Sequence, residues 1–320
     1  MNKKILITGA SGFVGSHLLE YLLETGYGNI FGTYYSDKGL ETLGKNKNKA
    51  NFAKVDLKNE KETSELIGNI KPDIIYHLAA ATSPSKSFSS PNETILNNIL
   101  SQLNLLEALR KNSLTDCRIL IASSAEVYGI VGKDDLPIDE ETALNPTNPY
   151  AVSKIAQDFL GRQYFFSYNL KVIRVRPFNH IGPGQSPDFV VSSFAKKIAE
   201  IEKGKRKPVF PVGNLEAKRD FTDVRDMVRA YALLIEKGEA GDVYNIGSGV
   251  SSKISDILNK LLSLSNIKVS IQKDSSLFRP ADNPDLVCNY TKMEKLTGWK
   301  PEIKLEKTLE DTLDYWRNII

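Results

Sequence analysis

Residues 8–15 read Thr8-Gly9-Ala10-Ser11-Gly12-Phe13-Val14-Gly15, and this octet decides the architecture. It follows directly on the apolar run Ile5-Leu6-Ile7, which has the character of a buried strand, and it precedes Val14, Leu18 and Leu22, which recur at helical spacing. Glycine is needed where a strand turns sharply into a helix and where backbone must approach a pyrophosphate, whose charge then faces the free N–H groups and positive end of that helix. A glycine triplet alone can be no more than a tight turn. Here the strand before it and the helix after it supply the context that a dinucleotide site requires. Gly9, Gly12 and Gly15 follow the GxxGxxG variant of the fingerprint, and Ser11, Phe13 and Val14 between them are expected to meet the same ligand.

Outward from the octet, short apolar runs at 3–8, 29–34, 50–55, 73–78, 117–122 and 170–176 alternate with segments of helical period, such as Ile95/Ile99/Leu103/Leu106. That alternation predicts an α/β fold, a Rossmann-like doubly wound parallel sheet. A helix is expected over 149–168, opening at Pro149, whose fixed φ suits a first turn. After Pro177 the pattern loosens into Pro- and Gly-rich loops at 182–187 and 208–214 around a helix near 189–203. The expected division is a dinucleotide-binding domain over 1–176, rejoined by 219–249 through a helix at 224–236 and a strand at 242–246. A smaller C-terminal substrate-binding lobe then takes 177–218 and 250–320, the latter mostly short helices and turns.

The chain has 320 residues, enough for about two domains at ~150 residues each. Lys+Arg 42 against Asp+Glu 39 leaves a net charge of +3, too balanced for a protein whose affinity rests on neutralising many phosphates, so nucleic acid is not the expected partner. The cluster Lys203-Gly204-Lys205-Arg206-Lys207 reads as solvated surface. Cys117 and Cys288 cannot build a disulfide framework, and His17, His77 and His180 have no metal-ligand spacing. No run approaches the ~18 apolar residues of a membrane span, and the first apolar run ends too early for a signal core. A reduced, metal-free, cytoplasmic protein is expected.

An acidic residue that clasps an adenosine 2′-hydroxyl belongs ~20 residues beyond the glycine loop, at the tip of the second strand. The sequence has Thr33-Tyr34-Tyr35-Ser36 there, with no arginine for a 2′-phosphate and only Lys38 close by. The missing carboxylate points toward NADP(H), with NAD(H) as the alternative. Asp56 and Leu57 follow the third strand, where they are placed to meet the adenine edge, although Asp56 also suits a turn or cap. Ser123-Ser124-Ala125-Glu126-Val127-Tyr128-Gly129 follows the fifth strand, and Pro149-Tyr150-Ala151-Val152-Ser153-Lys154 comes later. Tyr150 and Lys154 lie four apart on one helical face. A phenol with a pKa of ~10 is a poor acid–base group at neutral pH, and a neighbouring ammonium is expected to lower it. The Ser124 hydroxyl suits the task of holding a substrate oxygen beside that phenol.

These segments together resemble the extended short-chain dehydrogenase/reductases that act on nucleotide-diphosphate sugars. The likeness spans nearly the whole chain: TGASGFVG, His77-Leu78-Ala79-Ala80, Asn98 in the next helix, SSAEVYG and PYAVSK. Where the family places Gly-Thr after the helical asparagine, this chain has Ser101-Gln102. The resemblance implies Ser124, Tyr150 and Lys154 as catalytic residues, with Lys154 also on the nicotinamide ribose. It implies cofactor contacts from His77, Leu78, Ala79, Ala80, Asn98 and Pro177. Residues 176–185 (RPFNHIGPGQ) and 212–226 (VGNLEAKRDFTDVRD) resemble the GDP-6-deoxy-D-mannose reductase branch, which makes GDP-D-rhamnose from GDP-4-keto-6-deoxy-D-mannose. From that likeness Asn179, Arg219 and Arg279 hold the diphosphate of a GDP-sugar, and Asp282 holds the ribose. Arginine forks match phosphate oxygens, although Arg219 also suits an ion pair with Asp220 or Asp223, and Arg279 and Asp282 a turn. The family pairs helices between subunits, which implies a homodimer through 95–109 and 155–166. Two rivals share the motifs: a GDP-mannose 4,6-dehydratase or other nucleotide-sugar enzyme, with Glu126 as a further acid/base, and a non-catalytic NAD(P) sensor. Ala125, where many dehydratases carry aspartate, favours the reductase.

Overall fold

The computed structural model describes residues 3–278 and 283–320. In chain order the elements are β1 (Ile5–Thr8), α1 (Phe13–Glu24), β2 (Ile30–Tyr34), α2 (Asp37–Glu41), β3 (Asn51–Lys54), α3 (Glu60–Ile70), β4 (Ile74–His77), α4 (Pro84–Ser89), α5 (Pro91–Lys111), β5 (Arg118–Ala122), α6 (Pro149–Tyr168) and β6 (Lys171–Pro177). They continue with β7 (Asn179–Ile181), α7 (Val190–Glu202), β8 (Val209–Val212), β9 (Lys218–Asp223), α8 (Val224–Lys237), β10 (Val243–Ile246), β11 (Ser251–Lys253), α9 (Ile254–Ser263), β12 (Ser270–Lys273), α10 (Thr291–Thr297) and α11 (Leu305–Ile319).

Among the described residues, seven strands form one parallel sheet in the order β10-β6-β5-β4-β1-β2-β3. Every residue of β1, β4 and β10 is buried, as expected for strands covered by helices on both faces, and this explains their continuous apolar runs. One face is covered by α1 and α8, whose Leu18, Leu19, Leu22, Met227, Tyr231 and Leu234 share a core with Ile5, Ile7 and Val175. The other is covered by α3, α5 and α6, through Ile67, Leu105, Leu109 and Tyr164 against Leu6, Ile75 and Ile119. Helix α6 starts where the sequence says it should. Pro149 opens it, Asn148 accepts the Ala151 N–H at 2.8 Å as its cap, and Asn169 ends it in the left-handed region.

Beyond Pro177 a second core gathers α7, α9 and α11 around Phe194, Phe210, Ile257, Leu258, Leu309 and Leu313. Of segment 219–249, α8 and β10 return to the main sheet, whereas β9 pairs with β7 and β11 in a small three-stranded sheet. The stretch 208–214, expected to be loop, contains strand β8, paired in parallel with β12. Cys117 and Cys288 are both free and buried. Among the described residues no helix is long and apolar enough to cross a membrane, and no cluster of His, Cys, Asp and Glu is fit to hold a metal ion.

Candidate active site

The carboxyl ends of β1, β2, β4, β5 and β6 open into a cleft of about 600 Å³, walled on its far side by residues of the second core. Gly9, Ser11, Gly12, Phe13, Val14 and Gly15 all line it. The glycines are obligatory for stated reasons. Gly9 has φ +70°, and a Cβ there would sit 2.9 Å from the Ala79 Cα; a Cβ on Gly15 would come within 2.2 Å of the Gly9 carbonyl oxygen, forcing α1 away from β1. Gly12 caps α1 without a side-chain bond, and the first turn carries no acidic residue. A helix start left open to the cleft and free of carboxylates fits a pyrophosphate.

The end of β2 forms the adenosine end of the cleft. Thr33 touches the cleft but is buried, and its Oγ1 accepts the Gly9 N–H at 3.0 Å, so this side chain holds the glycine loop. Tyr34, the last residue of β2, lines the cleft beside it, and neither position carries the acid that would bind a ribose. Asp56 and Leu57 both line the cleft. Asp56 also organises its own turn, accepting the Lys58 N–H at 3.0 Å, so the contact and turn readings hold together.

Leu78, Ala79 and Ala80 line the cleft, but His77, expected beside them, is turned away from it. Thr8 Oγ1 accepts from the N–H groups of Leu78 and Ala79, both at 3.2 Å, so its proton is directed to His77 Nδ1 at 2.9 Å. Burial first, and Lys154 second, lower the His77 pKa to about 3. Asn98 likewise does not line the cleft. Its side chain accepts from Ala81 N (2.7 Å) and donates to Ala81 O and to Ser153 Oγ (3.1 and 2.9 Å), fastening a cleft loop to α6 from behind.

Ser124, Glu126, Tyr150 and Lys154 converge on one wall of the cleft. Tyr150 is 7% exposed and hydrogen-bonded to Ser124. Burial raises its pKa above the ordinary 10, a shift that the Ser124 bond opposes. Lys154 donates from Nζ to the Ala122 carbonyl at 2.8 Å, and Nζ lies 5.9 Å from the Tyr150 ring centroid. Burial lowers the Lys154 pKa from 10.5 to about 7. The expectation that Lys154 lowers the phenol's pKa therefore fails in this state. Both groups are pushed toward their neutral forms, because the wall that holds them excludes water. Glu126 accepts from Asn148 Nδ2 at 3.0 Å, which ties it to the cap of the helix that carries Tyr150.

On the opposite wall stand Pro177, Phe178, Asn179 and His180, with Gln185, Phe189 and Leu286. Phe13 joins the two walls: its ring stacks on His180 (centroids 6.1 Å, planes 6° apart) and meets His17 edge-on, while His17 Nε2 lies 2.8 Å from the Pro183 oxygen. Arg219 is buried and does not line the cleft; its guanidinium donates to the carbonyls of Lys218 and Asn283, both at 2.7 Å. Arg279 and Asp282 lie outside the described residues. Sequence reasoning gave no role to Phe178 and His180, inside the 176–185 segment, or to Tyr34, Phe189 and Leu286, all of which line the cleft.

Fold and wall together define an extended short-chain dehydrogenase/reductase. The chain belongs to the GDP-mannose 4,6 dehydratase family, which matches residues 6–312. It is 35% identical over 318 residues to the GDP-6-deoxy-D-mannose reductase of Pseudomonas aeruginosa, covering 99% of this chain and 98% of that one. It is 29% identical to a GDP-mannose 4,6-dehydratase of Vibrio cholerae, covering 97% and 93%. Among solved structures it resembles RMD from Pseudomonas aeruginosa complexed with NADPH (TM-score 0.87, 34% identity, 100% of both chains). It also resembles the UDP-glucose 4-epimerase of Thermotoga maritima with UDP-glucose (TM-score 0.89, 28% identity, 98% and 99%).

Proposed function

We propose that this protein reduces the 4-keto group of GDP-4-keto-6-deoxy-D-mannose, giving GDP-D-rhamnose at the expense of NADPH. The observation that carries this reading is the Tyr150 phenol, hydrogen-bonded to Ser124 in the cleft that begins at the glycine loop, at a site where burial disfavours the phenolate. A reductase needs a proton donor at the outset, whereas a dehydratase begins by oxidising its sugar and needs a proton acceptor. The full-length likeness to a GDP-6-deoxy-D-mannose reductase supports the same choice.

The reduced nicotinamide, when bound, supplies a hydride to carbon 4. Ser124 holds the carbonyl oxygen, and Tyr150 delivers its proton to that oxygen as the new C–H bond forms and the C=O π bond breaks. Lys154, with a pKa of about 7, is poised to gain a proton when a phenolate appears beside it, and its second task is the nicotinamide ribose. Solvent then restores the phenol. Asn179 is the described substrate residue on the cleft wall, and Arg219 supports that wall through its carbonyl contacts; Arg279 and Asp282 complete the diphosphate and ribose assignments. The reading divides the chain into a dinucleotide domain (1–176 with 219–249) and a sugar lobe (177–218 and 250–320). With Tyr34 at the tip of β2 and no carboxylate there to repel a 2′-phosphate, NADPH is preferred to NADH. Leu96, Phe159 and Phe166 are 55%, 47% and 69% exposed on the outer faces of α5 and α6, an apolar surface suited to a second copy in a cytoplasmic homodimer. Sedimentation at the mass of a single 35.6 kDa chain would contradict that pairing.

The test is stoichiometry. GDP-4-keto-6-deoxy-D-mannose with NADPH should consume one reduced cofactor per sugar, and GDP-mannose with catalytic NADP⁺ should yield no keto product. Glu126, on the cleft wall, favours the dehydratase reading. Keto sugar formed from GDP-mannose, and abolished by Glu126→Gln, would establish that reading instead.

A further inference from the structure

Helix α5 forms the floor of the cleft beneath the adenosine end, where Asn97 and Ser101 line it between two loops. One loop is Ala79–Ala81, already seen fastened by Asn98. The other is Leu57-Lys58, which follows β3. Six residues along α5 from Asn98, Asn104 extends its Nδ2 to this second loop and donates to the carbonyls of both Leu57 and Lys58, each at 2.9 Å. Two further hydrogen bonds of the loop come from another helix. Thr63 Oγ1 donates to the Leu57 carbonyl at 3.1 Å and Glu62 accepts the Asp56 N–H at 3.2 Å, both from α3. Among the described residues, Asn104 thus supplies the hydrogen bonds that join this loop to the floor, beside the packing of Leu57 in the core that holds Leu105 and Leu109.

We propose that Asn104 is a positioning residue for the adenosine end of the dinucleotide. By drawing two successive carbonyls onto α5, it fixes the height of the Asp56-Leu57-Lys58 wall over the Asn97–Ser101 floor, and so the width of the slot between them. The inference rests on the dinucleotide reading of the cleft and adds a residue that touches no ligand. A primary amide suits the task because one NH₂ group donates twice. A carboxylate of the same shape faces two carbonyls with no donor and should push the loop away.

The experiment compares NADPH with reduced nicotinamide mononucleotide, which lacks the adenosine half, by fluorescence titration of the full-length protein and its Asn104→Ala and Asn104→Asp variants. The Kd for NADPH is expected to rise about three- to tenfold in the alanine variant, the scale of a lost pair of neutral hydrogen bonds only partly transmitted to the ligand, and further in the aspartate variant. The Kd for the mononucleotide should not change. In turnover, KM for NADPH should rise with kcat at saturation preserved. Equal weakening of both ligands, or a lower melting temperature with the ratio of the two Kd values unchanged, would overturn the proposal by showing a purely structural role. If the unsubstituted protein binds NADPH no better than the mononucleotide, the dinucleotide reading itself falls.

Discussion

Lys154→Met should leave the protein more stable in the absence of ligands and unable to turn over. Lys154 is 4% exposed, and its ammonium donates to the Ala122 carbonyl. A pKa that drops from 10.5 to about 7 on folding costs about 4 kcal/mol of stability at pH 7. Methionine has similar length and nothing to desolvate, so it recovers that cost and loses one hydrogen bond worth about 1–2 kcal/mol. The net gain of about 2 kcal/mol corresponds to a rise in Tm of roughly 4 °C for a chain of this size. The pH dependence checks the cause. Because the folded pKa is depressed, the unfolded chain binds more protons between about pH 7 and 10.5, and the parent protein gains stability as pH rises through that window. By pH 9.5 the cost of burying Lys154 falls to about 1 kcal/mol, and the advantage of the variant should vanish. Thermal unfolding followed by circular dichroism at pH 7 and 9.5 reads both numbers. A variant that melts below its parent at pH 7, or one whose advantage is the same at both pH values, would refute the reasoning. The same variant should bind NADPH more weakly, since the ribose loses its donor.

Tyr150→Phe keeps the ring in its buried site and removes the proton, so kcat should fall ~10²- to 10⁴-fold while cofactor and sugar affinities stay within a small factor; an undiminished rate would remove Tyr150 from the chemistry. Tyr34→Asp places a carboxylate at the tip of β2 and should shift the ratio of kcat/KM values from NADPH toward NADH, by repelling a 2′-phosphate and accepting from a 2′-hydroxyl. Thr33→Asp keeps an acceptor for the Gly9 N–H and adds a carboxylate to the cleft, so it should shift the same ratio in the same direction; an unchanged ratio in both variants would remove the argument from the missing carboxylate.

The parallel sheet was legible because each buried strand is a short apolar run and each crossover helix keeps its period, and the octet at residues 8–15 orients both. Likewise Pro149 announces α6, and with it the Tyr150–Lys154 pair. What was hidden depends on distant partners. The Thr33 hydroxyl accepts the Gly9 N–H, a tie between the end of β2 and the glycine loop that no local pattern announces. Strand β8 is punctuated by Pro208, Pro211 and Gly213 and exists because β12, some sixty residues later, pairs with it. Arg219 reads as a phosphate ligand by residue type, and nothing local in the sequence announces that it also donates to the distant Asn283 carbonyl. The basic cluster at 203–207 is exposed, as expected, although Lys203 and Lys205 donate to the Arg317 and Ile320 carbonyls at the end of α11. Charge balance and pKa are the least legible of all. The ammonium expected to acidify the phenol is itself pushed toward neutrality by the same dry wall.

The stack of Phe13 on His180 bears on how such proteins can be recombined. A designer who wished to change the sugar by grafting a relative's second lobe would treat the glycine loop as a constant part of the chassis. Here one ring of that loop is half of a contact whose other half belongs to the graft, and His17 reaches across to Pro183 in the same way. Exchanging residues 177–218 and 250–320 alone would bring a foreign partner to Phe13 and His17, and the mismatch would be felt at the pyrophosphate. The natural seam for a chimera therefore does not follow the order of the chain: positions 13 and 17 travel with the lobe they touch.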